Sequence, residues 1–154
     1  MKYPWMIICD GIDCSGKTTF IKEFNKATNY SSWIIDRSTI SVTAYANKFN
    51  RNIPDFSRLE NFLNTWPFIL VIRFIASKED TVKRQNRKND GYDSSDYEID
   101  MELFDKAEFE SGFTKIVVLN SSKMSLVNEI EKVINYINQV EKSYDATRTL
   151  RKNF

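Results

Sequence analysis

Gly11-Ile12-Asp13-Cys14-Ser15-Gly16-Lys17-Thr18 places two glycines, a lysine and a hydroxyl residue at the spacing G-x-x-x-x-G-K-[ST]. A polyphosphate needs many hydrogen-bond donors at short range, and backbone amides are the groups that pack densely enough to supply them. Glycine lets the chain curl close to the oxygens. A helix opening from such a loop adds free amides and a dipole that favours an anion. Lys17 then brings a point charge to the outer phosphates, and the Thr18 hydroxyl is the type of group that ligates Mg²⁺. Gly11, Asp13, Cys14, Ser15, Gly16 and Thr19 belong to the same nucleotide cradle. The flanks fit this use. Trp5-Met6-Ile7-Ile8-Cys9 reads as a buried strand stopping at the first glycine, and Phe20, Ile21 and Phe24 recur at helical spacing from Lys17 to about Thr28.

Outward from the loop, strands and helices alternate. Trp33-Ile34-Ile35 reads as a second buried strand ending at Asp36-Arg37, and helices are expected over Thr43–Asn50 and Asp55–Asn64, separated by Pro54. Phe68–Ile75 is a third strand, and Ser77-Lys78-Glu79-Asp80 has the spacing that caps a polar helix reaching about Arg87. Lys88–Ser95 reads as a loop. A helix over Asp96–Glu110 closes at Gly112, Lys115–Leu119 is a fourth strand, and Ser125 opens a helix with Leu126, Ile130, Val133, Ile134 and Ile137 on one face. Continuous apolar strands alternating with helices predict an α/β fold built on a parallel sheet of about four strands, covered on both faces. The tail from Ser143 is charged and is expected to fray.

Composition narrows the chemistry. The 154 residues fit one domain, and 42% hydrophobic content is enough for a core. A net charge of +1 argues against a protein whose main task is wrapping duplex nucleic acid. There is no histidine, which removes His-based acid–base catalysis and His-ligated zinc. Two cysteines, Cys9 and Cys14, are too few for a secreted disulfide framework, and no apolar run is long enough to span a bilayer, so a reduced, cytoplasmic protein without a membrane partner is expected.

In enzymes with such a loop, a second strand ends in an acid near the metal. Asp36 is the best candidate for that metal site, with Asp10 as a rival, and Arg37 beside it suits an acceptor phosphate. Ile8–Thr19 resembles the opening of thymidylate kinases. Asp36-Arg37-Ser38-Thr39-Ile40-Ser41-Val42-Thr43-Ala44-Tyr45 is similar to their D-R-x-x-x-S-x-x-A-Y segment. The resemblance implies a P-loop kinase: a three-layer α/β/α sandwich in a single domain over residues 1–154, with ATP and Mg²⁺ as cofactors. It also implies a nucleotide donor, a small nucleotide acceptor and a homodimer. It gives Lys17, Asp36 and Arg37 catalytic roles, Thr18 and Asp36 the metal, and Arg37, Ser41 and Tyr45 the acceptor. The family's lid corresponds to about residues 83–95, beginning Lys83-Arg84-Gln85-Asn86-Arg87-Lys88. Family members place a catalytic arginine in the loop or the lid. The loop here has none, so the resemblance assigns that role to Arg84 or Arg87.

The match departs in one place. The family carries a further strand with an arginine-glutamate-proline motif, and the short stretch between the phosphate loop and Asp36 leaves no room for it. Thymine specificity is therefore unsupported. Nucleic acid, as a modified base or a strand end, is an alternative acceptor, and a regulatory nucleotide-binding module is a third reading. Arg73 inside an apolar strand calls for a partner, for which Glu102 is a candidate.

Overall fold

A computed structural model describes residues 1–87 and 96–152. The loop expected at Lys88–Ser95, and with it the far part of the lid, lies outside the described residues. Ten elements follow in chain order: β1 (Trp5–Gly11), α1 (Lys17–Ala27), β2 (Ser32–Asp36), α2 (Thr39–Lys48), α3 (Ser57–Thr65), β3 (Ile69–Ile75), α4 (Lys78–Asn86), α5 (Asp96–Glu110), β4 (Ile116–Asn120) and α6 (Leu126–Lys152). The four strands are all parallel, in the order β2-β1-β3-β4. The expected α/β fold is observed, with helices on both faces of the sheet.

Side-chain alternation along the central strands sorts the core into two layers. Ile7 and Cys9 of β1 and Leu70, Ile72 and Phe74 of β3 pack with Phe20 and Phe24 of α1 and Val133 and Ile137 of α6. Ile8, Ile69 and Val71 point the other way, against Ile40 and Ala44 of α2 and Phe104 and Ala107 of α5. Each fully buried Phe, Leu or Ile contributes about 1.5–3 kcal/mol, so both faces are needed to stabilise the strands. Lys48 ties α2 to α5 through Asp100 at 2.7 Å and Asp96 at 3.1 Å.

Four elements differ from the sequence expectation. β2 is an edge strand, and Trp33 is 66% exposed. Its apolar run therefore does not mark burial on both faces. α2 begins at Thr39 rather than Thr43, since the Ser38 hydroxyl caps it by accepting the Ile40 N–H at 3.2 Å. α3 begins at Ser57, two residues later than expected. The tail does not fray at Ser143: α6 continues to Lys152. Glu141 accepts hydrogen bonds from the Lys2 backbone N–H at 2.9 Å and from Trp5 Nε1 at 3.0 Å, while Asp145 takes Lys2 Nζ at 2.8 Å, and these contacts hold the helix against the start of β1.

Candidate functional site

Because the strands are parallel, their carboxyl ends lie on one side, and ligand clefts in such sheets open there. The chain reverses its direction of travel beside β1, since β2 lies to one side and β3 to the other. A cleft of about 550 Å³ opens at this end. The loop after β1 forms its floor. Asp36 and Arg37 line it from the β2 flank, and Ser121, Met124, Leu126 and Glu129 line it from the β4 flank.

The floor has the conformation that its glycines require. Gly11 has φ 140°, and a Cβ there would lie 2.2 Å from the Phe74 carbonyl oxygen, so no other residue fits without parting β1 from β3. Gly16 has φ 100° and Cys14 φ 58°, which turn the loop before α1 starts at Lys17. The Ser15 hydroxyl donates to the Ile12 carbonyl at 2.8 Å and pins the turn. Lys17 Nζ donates to the carbonyls of Gly11 at 2.6 Å and Ile12 at 2.7 Å. Burial, followed by repulsion from Arg37, lowers its pKa to about 8. Thr18 and Thr19 are exposed on the cleft, as are Asp13 and Asp36.

At the β2 end, the Arg37 backbone N–H donates to the Cys9 carbonyl at 2.9 Å, which locks the turn to β1. Arg37 itself has φ 75°. Its guanidinium pairs with Asp13 and lies 5.1 Å from the centre of the Tyr45 ring. The structure thus brings together Lys17, Asp36, Arg37 and Tyr45. It does not bring Ser41 to the cleft: Ser41 is 2% exposed, and both its hydroxyl and its backbone N–H (at 3.1 Å) donate to Asp10. Asp10 is fully buried and also accepts the Ser38 hydroxyl. It serves as an anchor for the segment after Asp36, and it does not line the cleft as a metal ligand would.

The two lid arginines separate. Arg84 reaches the floor, donating to the Cys14 carbonyl at 3.0 Å, the Ser121 hydroxyl at 2.7 Å and the Ser121 carbonyl at 3.2 Å. Arg87 is exposed at the end of α4 and lines a shallow depression on that helix, away from the cleft lining. Arg73 is 1% exposed and pairs with Asp105 at 3.4 Å and Glu108 at 3.3 Å, not with Glu102. Both partners lie on α5, which packs over the face that Arg73 shares with Ile69 and Val71. Trp66 packs beside the core, and Phe68 and Phe74 lie within it.

Two polar cleft residues, Ser121 and Glu129, lie outside the motifs. Ser121 is in the turn after β4, where no pattern marks it. Glu129 does leave a signal, because it falls among Leu126, Ile130 and Val133 on the apolar stripe of α6. An acid at helical spacing within such a stripe needs a reason to be there. Among the described residues no cluster of three acids or cysteines forms a ready-made cation cage. The Thr18 hydroxyl and the Asp36 carboxylate, both exposed on the cleft, fit Mg²⁺ completed by phosphate oxygens and water. No helix among the described residues is long and apolar enough to cross a membrane.

No protein-family model matches the chain, and no curated protein matches it significantly. Solved structures do. The YorR protein of Bacillus subtilis, in complex with phosphorylated GDP, superposes with a TM-score of 0.75 at 21% identity, covering 90% of this chain and 98% of YorR. Deoxyadenosine kinase from M. mycoides, with products dCMP and dCDP, superposes with a TM-score of 0.61 at 14% identity, covering 88% and 99%. The chain shares the fold of these two structures, one of which is a deoxyadenosine kinase. At these identities the likeness is one of fold.

Proposed function

We propose that the protein is a phosphotransferase that passes the terminal phosphoryl group of a nucleoside triphosphate, with ATP as the expected donor, to a small nucleotide-like acceptor. The observation that carries this reading is the two-ended cleft. A phosphate floor lies between a cationic end at Arg37 and a distinct end at Ser121 and Glu129. A binding module needs only the floor and one end; a transferase needs a place for each substrate on either side of the moving group.

Phosphoryl transfer asks the protein for position and charge more than for covalent work. Lys17, charged below its lowered pKa, is placed to neutralise the outer phosphates once it leaves the loop carbonyls. Thr18 and Asp36 would hold Mg²⁺, which when bound draws phosphate oxygens together and offsets their charge. Arg84 bridges the floor and the β4 turn and is the lid arginine in reach of the transferred group. Arg37 orients the acceptor, held from behind by Asp13 and Tyr45.

Two features favour a deoxynucleoside monophosphate as acceptor: the thymidylate-kinase-like Asp36–Tyr45 segment, and the dCDP in the deoxyadenosine kinase structure, which is what phosphorylation of dCMP gives. The experiment is a coupled assay of ADP release from ATP over the four deoxynucleoside monophosphates, with nucleosides and a short oligonucleotide in parallel. Acceptor-dependent turnover with at least one monophosphate is expected. Turnover no higher than the water-only background with every acceptor would refute the transferase.

A further inference from the structure

We propose that Glu129 selects the base of the donor nucleotide by accepting a hydrogen bond from the base's exocyclic amino group. This rests on the β4 end of the cleft being the donor side. Glu129 is 3% exposed, yet it lines the cleft. Its Oε1 is buried and accepts no hydrogen bond among the described residues. A buried carboxylate oxygen without a donor carries its full desolvation cost, so native proteins seldom keep one without a use.

The bland explanations are met by other groups. The start of α6 is capped by Ser125, whose hydroxyl accepts the Asn128 N–H at 3.2 Å, so Glu129 is not needed there. The nearby cation, Arg84, donates its hydrogen bonds to Cys14 and Ser121 and lends Glu129 only its field. Burial pushes the Glu129 carboxyl above the usual carboxylate range, and Arg84 pulls it back, as suits an acid held without its hydrogen bonds. Met124 and Leu126 beside it offer apolar surface to a flat ring. An acceptor at the edge of an apolar slot recognises an N–H on a planar heterocycle, and both adenine and guanine present one.

Titration calorimetry on the intact chain tests this, with ATP, GTP and purine riboside 5′-triphosphate, which has no amino group, on wild type, Glu129→Leu and Glu129→Gln. Wild type is expected to bind ATP or GTP about tenfold or more tighter than the amine-free purine, as a hydrogen bond to a charged acceptor implies. Glu129→Leu is expected to level the three and to melt no lower than wild type, because the uncompensated carboxylate is gone. Glu129→Gln separates the sources. Its amide can pair with adenine by accepting at N6 and donating to N1, but faces two donors on guanine, so ATP binding persists if adenine is the natural base and GTP binding falls if guanine is. Equal wild-type affinity for all three purines, an unchanged preference in Glu129→Leu, or a melting temperature several degrees lower in that variant overturns the assignment. Failure of every triphosphate to bind wild type would instead sink the donor-cleft reading itself.

Discussion

Replacing Asp10 with alanine is expected to destabilise the fold and to weaken the site without removing any group that lines the cleft. Asp10 is fully buried at the end of β1 and accepts the Ser38 hydroxyl, the Ser41 hydroxyl and the Ser41 backbone N–H. Each hydrogen bond to a charged acceptor contributes about 1.5–3 kcal/mol, but the three share one carboxylate and are not additive. Alanine leaves three donors facing a cavity and removes the anion beside Arg73, whose register partner is Asp10. A loss of about 3–5 kcal/mol follows, comparable to breaking a buried ionic network and a large part of a typical domain's stability of about 5–15 kcal/mol. Asp10→Asn retains one acceptor oxygen, and the loss is expected to fall to about half. Chemical denaturation followed by far-ultraviolet circular dichroism gives both values, and thermal melting should show a drop of about 10 °C for the alanine variant. The same serines begin α2 and hold the turn that carries Asp36 and Arg37, so turnover should fall along with stability. An Asp10→Ala variant within about 1 kcal/mol of wild type would refute the anchoring role.

Three further outcomes follow from the site. Lys17→Met should weaken triphosphate binding about 10–100-fold, the worth of a charged hydrogen bond to phosphate, as measured by calorimetry. In wild type the folded Lys17 loses its proton near pH 8 whereas an ordinary lysine keeps it to about 10.5. Affinity should therefore fall as pH rises through 8, binding above that pH should take up protons, and the stability cost of the buried ammonium should fade between pH 8 and 10.5; a flat affinity from pH 7 to 9.5 contradicts this. Arg84→Ala should lower kcat/KM by about 100-fold or more while Arg87→Ala stays within about threefold, from steady-state kinetics on the best acceptor; the reverse ranking would transfer the role to Arg87. Gly11→Ala should yield little folded protein, since its methyl group overlaps the Phe74 carbonyl, and a normal melting curve for that variant would show that the strands part more easily than the packing implies.

The phosphate loop and the two-faced sheet were legible because each rests on local rules. Positive φ at Gly11 and Gly16 demands glycine, and the apolar runs at Trp5–Cys9 and Phe68–Ile75, the second interrupted by Arg73, demand cover on both sides. Trp33-Ile34-Ile35 has the same local look but lies at the sheet edge, and strand order is a property of the whole chain that no window of sequence contains. Asp10 and Ser41 were hard for a related reason. An acid beside a phosphate loop suggests metal chemistry until its three donors, about thirty residues away, are seen to satisfy it. Arg73 advertised its need for a carboxylate, but choosing Asp105 and Glu108 over Glu102 required the rotation of α5. Glu129 was present in the pattern as an acid on an apolar stripe, and only its place in the cleft gave that oddity a meaning.

All four strands run the same way, and the residues of the cleft come from the ends they point to. The opposite end of the sheet, where residues 28–31, Trp66-Pro67 and Thr114-Lys115 lead into β2, β3 and β4, holds none of them. A dye, a short insertion or a surface tether placed at Asn29 or Tyr30 therefore reports on the molecule from the side away from the nucleotide. Tyr30 is already 70% exposed, and the turn there precedes an edge strand that, among the described residues, pairs on one side only. The protein carries its handle and its working surface at opposite poles.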